Sequence, residues 1–281
     1  MFFRTMKHMK LHEKCRDEVF MNVLDSFSLK GKVALLTGGA GLYGRQITEA
    51  LAEAGATTVI ASRNLAELEK VAKELRAAGG DVTALQLDLA EEASIHALVA
   101  EIERRWGRLD VLVNNAVTRC ACADWDLPME TFDQSLRINA SALFCLTRLA
   151  AEVMKRNKTG SIINIGSYMG VRGPDPLNYV GTDMMKTPSP IYFFEKGGMV
   201  NFTRFAASVL GPFGIRVNAI HPGGFFNHQP EAFVKNYSAN TMLGRLANDS
   251  DLKGVVVFLA SDASAYLTGT NIPVDGGYTA K

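Results

Sequence analysis

Short unbroken apolar runs alternate with amphipathic stretches along most of the chain. Val33–Leu36, Thr57–Ala61, Val82–Leu87, Val111–Val113, Ser161–Ile165, Arg216–Ile220 and Asn271–Val274 have the length and composition of strands. The stretches from Tyr43 to Ala54, Leu65 to Ala78 and Ser94 to Trp106 carry helical periodicity instead. Ser189-Pro190 reads as an N-cap and first helical residue, opening a helix that runs to about Leu210. Strands apolar on both faces and separated by helices are parallel strands covered from each side. The expected fold is α/β, a doubly wound and mostly parallel sheet in a single domain. In such sheets ligands sit beyond the carboxyl ends of the strands, so the residues just after each strand are the candidates for chemistry.

Composition narrows the picture. At 281 residues the chain can bury one large core. Apolar content of 47%, charged content of 21% and a net charge of +1 describe an ordinary globular protein rather than a nucleic-acid or membrane-surface binder. No run of eighteen apolar residues is present to span a membrane. Cys15, Cys120, Cys122 and Cys145 fit neither a zinc spacing nor a disulfide framework, so reduced thiols, a cytoplasmic setting and no metal are expected. Residues 1–28 mix basic, acidic and apolar positions without the core of a targeting signal, and read as a flexible extension before a domain at 29–281. Met21 is a candidate start.

Thr37-Gly38-Gly39-Ala40-Gly41-Leu42-Tyr43-Gly44 follows the first strand and opens the first helix. Glycines there let a pyrophosphate approach the backbone, and the helix N-terminus offers N–H groups and a positive dipole. The cluster therefore predicts dinucleotide binding. Ser62-Arg63-Asn64 ends the second strand; an arginine there can pair with the 2′-phosphate of NADP where an acid would take the ribose of NAD. NADP is favoured, with NAD the alternative. Asp88-Leu89 after the third strand and Asn114-Asn115-Ala116 after the fourth complete the expected adenosine site.

Tyr192 and Lys196 stand one helical turn apart on the same face. At about 5 Å and an effective dielectric near 20, the ammonium favours the phenolate by about 3 kcal/mol. Such a tyrosine can exchange a proton near neutral pH, as interconversion of a carbonyl and an alcohol requires.

From Leu29 to Gly277 these residues resemble the short-chain dehydrogenase/reductase family. The resemblance rests on the glycine turn, Asn114-Asn115-Ala116, Asn139, Ser167, Tyr192 with Lys196, Pro222-Gly223 and the closing Val274-Asp275-Gly276-Gly277. It implies Tyr192 as acid/base, Ser167 polarising the substrate oxygen, and Lys196 gripping the nicotinamide ribose. It implies further that Asn139 supports a proton path and that Pro222, Gly223 and Phe225 lie against the nicotinamide. The expected substrate is a secondary alcohol or its ketone, on a sugar, sugar acid or polyol. The alternatives are a 3-oxoacyl thioester, a sugar-nucleotide epimerase reaction suggested by the spacing of Gly38, Gly41 and Gly44, and a non-catalytic dinucleotide sensor. Relatives are commonly tetramers, so a homotetramer or homodimer is implied.

The chain departs from the family pattern in places. Leu42 stands where single-domain members usually carry the next motif glycine after Gly38. The connection from Ser167 to Tyr192 is longer than usual, which places an insertion near 169–188 whose prolines and glycines signal turns. Asn227 replaces a common threonine in a segment, 224–243, expected to cover the substrate. Asn227 and His228 are candidate substrate contacts. His221, before Pro222, reads as a structural hydrogen-bonding residue.

Overall fold

Every side chain of the first strand, β1 (Val33–Thr37), is buried, and the two-residue period of a strand decides where each one goes. Val33 and Leu35 enter one apolar cluster while Ala34 and Leu36 enter a second on the opposite face. The computed structural model describes residues 22–119, 125–184 and 189–281. Within them β1 is followed by α1 (Leu42–Glu53), β2 (Thr57–Ser62), α2 (Leu65–Ala77), β3 (Val82–Gln86), α3 (Glu92–Trp106) and β4 (Val111–Asn114). After α4 (Met129–Leu136), a π-turn (Arg137–Ser141) and α5 (Ala142–Asn157) come β5 (Gly160–Ile165), α6 (Pro190–Leu210) and β6 (Ile215–Pro222). The chain ends with α7 (Glu231–Asn240), α8 (Lys253–Ala260) and β7 (Asn271–Val274).

The strands form one 7-stranded parallel sheet in the order β3-β2-β1-β4-β5-β6-β7. The order reverses between β1 and β4, so a crevice opens there beyond their carboxyl ends. Leu36 of β1 lies beside Ile60 of β2 and Val113 of β4, which sets the glycine turn and the Asn115 turn side by side.

Each face of the sheet is packed by helices. Leu98 and Ile102 of α3, Leu146 and Met154 of α5 and Ala206 and Leu210 of α6 cover one. Ile47 and Leu51 of α1, Leu68 of α2 and Val256 and Leu259 of α8 cover the other. Each fully buried leucine or isoleucine contributes about 1.5–3 kcal/mol. Polar groups inside this core are paired: Asn114 Nδ2 donates to Thr147 Oγ1 at 3.1 Å and Asn164 Oδ1 at 2.9 Å, and Asn164 Nδ2 to Thr203 Oγ1 at 3.0 Å. Asn114 thus fastens β4 to β5 and α5 and does not face the adenosine crevice.

Of the expected extension, residues 22–28 are described and hold a 3-10 turn (Asp25–Phe27), with the Phe27 ring 6.1 Å from that of Phe258. That part is docked on α8, and Met21 lies outside the described residues. So do Cys15, Cys120 and Cys122; Cys145 is a free thiol. Among the described residues no helix is long and apolar enough to cross a membrane.

Candidate active site

A cavity of about 840 Å³ opens at the carboxyl ends of the strands and runs from Arg63 past the glycine turn to Tyr192. The turn depends on two glycines. Gly38 has φ +72°, and a Cβ on Gly44 would stand 1.9 Å from the Gly38 carbonyl oxygen. Asn115 braces the turn, its Nδ2 donating to Thr37 O at 2.9 Å and Gly38 O at 3.2 Å. Thr37 is buried behind the turn, where its Oγ1 accepts from the N–H groups of Asn115 and Ala116 at 3.1 and 3.0 Å. Its place is structural and off the cavity wall, a correction to its expected contact with the cofactor.

Gly38, Gly41, Leu42, Tyr43, Gly44, Asn115 and Ala116 line the cavity, as do Ser62, Arg63, Asp88 and Leu89 at its far end. Asn64 does not; its Oδ1 accepts from Glu67 N at 3.2 Å and caps α2. Tyr43 spans the cleft, its hydroxyl donating to Gly223 O at 2.7 Å and its ring lying edge-on 5.2 Å from Phe225. Burial pushes its phenol well above the usual tyrosine range, with Tyr237 adding to the effect, so the hydroxyl remains a donor. Pro222, Gly223 and Phe225 form the opposite wall.

At the other end Ser167, Tyr192 and Lys196 line the same cavity. α6 places Tyr192 in its first turn, and the ring is half-buried. Lys196 is buried, its Nζ donating to Ile165 O at 2.8 Å and lying 5.7 Å from the centroid of the Tyr192 ring. Burial pulls the lysine below its ordinary value, Arg119 acts the same way, and Tyr192 and Glu195 oppose both. Ser167 Oγ accepts from Met169 N at 3.1 Å. Behind it, His221 braces the chain: Nε2 faces Asn271 Oδ1 at 2.8 Å and Nδ1 faces Ser167 N at 3.2 Å and Ser167 O at 3.0 Å. Asn271 Nδ2 donates to Val200 O, which leaves its oxygen to accept from Nε2–H and leaves Nδ1 to accept from Ser167 N–H. His221 is structural.

Three placements differ from expectation or add to it. Asn139 stands in the π-turn behind the cavity wall, its Oδ1 accepting from Thr118 N at 2.9 Å and its Nδ2 facing Thr118 O, Ser135 Oγ and Glu195 Oε2. Asn227 lines the cavity, whereas His228 is exposed with φ 55° and packs on Phe226 outside it. Arg119, missed in the sequence, lines the cavity with its guanidinium carbon 5.3 Å from the Tyr192 centroid. Its only signal is a cation five residues beyond a strand end.

The described part of the insertion and the 224–243 segment meet at the Tyr192 end of the cavity. The described part of the insertion forms 3-10 turns at Tyr168–Gly170 and Pro176–Tyr179. Tyr168, Tyr179, Phe233, Tyr237 and Tyr278 pack into an aromatic cluster that joins the insertion, α7 and the chain's last turn. Gly224 N donates to Tyr237 Oη at 2.6 Å, which ties this cluster to the Pro222–Phe225 wall.

The cradle suits a nicotinamide dinucleotide: close backbone approach at Gly38 and Gly44, the N-terminus of α1, and a wall from Arg63 to Phe225. The comparisons agree. The chain belongs to the short-chain dehydrogenase/reductase family, its residues 41–279 matching the family model described as enoyl-(acyl carrier protein) reductase. It is 32% identical over 255 residues to the 3-oxoacyl-[acyl-carrier-protein] reductase of Thermotoga maritima, covering 89% of this chain and 98% of that one. It is 35% identical over 271 residues to the uncharacterized oxidoreductase YgcW of Escherichia coli, covering 91% and 95%. A gluconate 5-dehydrogenase from Burkholderia cenocepacia, solved with NADP and tartrate, superposes with a TM-score of 0.82 at 29% identity, covering 92% of this chain and all of that one. The protein is an NAD(P)-dependent oxidoreductase of this family.

Proposed function

We propose that the protein interconverts a secondary alcohol and a ketone on a small polyhydroxylated acid or polyol, with NADP favoured over NAD. The observation that carries this reading is the single cavity shared by Tyr192, Lys196, Ser167 and the glycine turn. The coenzyme, when bound, would supply or accept a hydride, which carries the two electrons and the hydrogen at the substrate carbon. Tyr192 gives its phenolic proton to the substrate oxygen in reduction and takes it back in oxidation. The Lys196 ammonium, held on the Ile165 carbonyl, lies beside that tyrosine ring. Ser167, fixed by Met169 and His221, holds and polarises the same oxygen. Arg63 supports a 2′-phosphate at the far end.

Arg119 supports an acidic substrate, because a guanidinium beside the acid/base can fork onto a carboxylate. The gluconate 5-dehydrogenase holding tartrate agrees with that choice. A 3-oxoacyl thioester is the second reading, favoured by the Thermotoga relative. We place the protein in the cytoplasm. We also infer self-association through α5 and α6, which leave Phe144, Phe194, Phe205 and Val209 exposed on a single chain.

The test is an absorbance screen at the nicotinamide band, both coenzymes against polyols, sugar acids, simple ketones and a 3-oxoacyl thioester. Turnover with a sugar acid is the expected result. Tyr192→Phe is expected to lose about 10²–10⁴-fold in kcat with coenzyme affinity nearly unchanged. Full activity in that variant would remove Tyr192 from the mechanism.

A further inference from the structure

One buried charge has no part in the chemistry above. Glu195, 8% exposed, sits on α6 between Tyr192 and Lys196 and reaches the cavity wall. Its Oε1 accepts from Ser135 Oγ at 2.7 Å and its Oε2 from Asn139 Nδ2 at 3.0 Å. An ionised carboxylate only accepts, so it makes the Asn139 nitrogen face it and leaves the Asn139 oxygen for the N–H of Thr118. That node joins four parts of the chain: α4 through Ser135, the π-turn through Asn139, α6 through Glu195, and the segment after β4 through Thr118. A π-turn is rare, and this node ties it to three neighbouring segments. Thr118 in turn precedes Arg119, whose guanidinium lies against the Tyr192 ring.

We propose that Glu195 is a positioning residue for the reaction: its carboxylate fixes the Asn139 amide and, through it, the π-turn and the Thr118–Arg119 segment beside Tyr192. The proposal rests on the Tyr192 reading for its effect on turnover, though not for its structural half. Burial pushes the Glu195 carboxyl up, while Ser135, Asn139 and the nearby Lys196 ammonium pull it back. Lys196 is its charged neighbour on α6, and the facing groups on α4 and the π-turn are the uncharged Ser135 and Asn139. A proton on Glu195 would leave its carbonyl oxygen as an acceptor and turn its other oxygen into a donor.

The first measurement needs no substrate. Hydrogen exchange, read by mass spectrometry on the full chain, is compared for the wild type, Glu195→Ala and Glu195→Gln. In Glu195→Ala, exchange at Thr118 and across 137–141 is expected to speed about tenfold or more while β1 and α1 stay protected. Glutamine, which keeps one acceptor for Asn139, is expected to restore most of the protection. The second measurement uses whichever substrate the coenzyme screen yields. Glu195→Ala should lower kcat by about 10–100-fold with KM little changed. Glu195→Gln should recover most of kcat near neutral pH. Wild-type exchange in Glu195→Ala overturns the proposal. A raised KM with unchanged kcat also overturns it, since Glu195 would then be touching substrate. If the alanine variant does not fold, Ser135→Ala and Glu195→Gln carry the same test. Failure of the Tyr192 reading is separate and is seen in Tyr192→Phe alone.

Discussion

The two ends of the cavity are built by different means. The coenzyme end is mostly backbone, held by the parallel register of β1, β2 and β4 and by aliphatic packing on both faces of the sheet. Its contacts are short in sequence or follow from strand pairing. The substrate end is mostly side chain. Tyr237 and Tyr278 stack with ring centres 4.8 Å apart and planes 20° from parallel, and Tyr168 meets Tyr278 edge-on at 4.8 Å. Asn178 donates to Tyr278 Oη and Arg172 to Tyr278 O, each at 2.7 Å, while Asn240 donates to Asp175 and Asn178. One end is therefore fixed by strand pairing, and the other by side chains that only this tertiary packing brings together.

Substitutions at each end test that contrast. Tyr237→Ala empties the middle of the aromatic cluster and is expected to destabilise the chain by about 3–5 kcal/mol. Tyr237→Phe, which removes the acceptor for Gly224 N–H and the hydroxyl partner of Tyr168, should cost about 1–2 kcal/mol; denaturant unfolding of both checks this. A similar loss in the two would mean that the hydroxyl, not the stack, holds the substrate end together. Gly44→Ala forces a methyl against the Gly38 carbonyl and should weaken coenzyme binding by about 100-fold, about 2.7 kcal/mol, in a fluorescence titration. Unchanged affinity would show that the turn is softer than its geometry implies.

A smaller effect is expected at Arg63. Arg63→Ala should weaken NADP by about tenfold and leave NAD within about twofold, measured as coenzyme KM. Equal losses for both would remove Arg63 from coenzyme choice. The smallest effect is in stability against pH. Burial raises the folded-state value of Glu195, so its contribution is present below the ordinary carboxylate range and is lost as pH rises through the folded value. Melting temperatures of Glu195→Gln relative to wild type should therefore climb by about 2 °C across that window. A flat difference would mean that the folded chain does not penalise the ionised carboxylate.

The same contrast explains what could be read from the chain. The strands are legible because an α/β sheet makes them uniformly apolar, and α1 to α3 because one face of each is polar. α8 is harder, since Val255-Val256-Val257-Phe258 has the composition of a strand and is helical only through its packing on the α1 side of the sheet. Ser167, Tyr192 and Lys196 are legible as a spacing of residue types. Glu195 is not, because nothing local distinguishes a buried glutamate beside a lysine from a solvated ion pair. It would have stood out only as a charge on the inner face of an otherwise apolar helix. Asn64 and Thr37 mislead for a related reason: both sit at strand ends that face the crevice, yet their side chains turn to cap α2 and to tie β1 to the Asn115 turn.

The last turn of the chain, Tyr278–Ala280, carries a consequence for biosynthesis. A nascent polypeptide that has emerged as far as β7 already holds the glycine turn and the Ser167, Tyr192 and Lys196 side chains. It still lacks the ring on which Tyr237 stacks and the groups that Asn178 and Arg172 grasp. The aromatic chamber is thus complete only once Tyr278 has docked, and Tyr278→Ala should yield a protein able to hold coenzyme but poor at turning over.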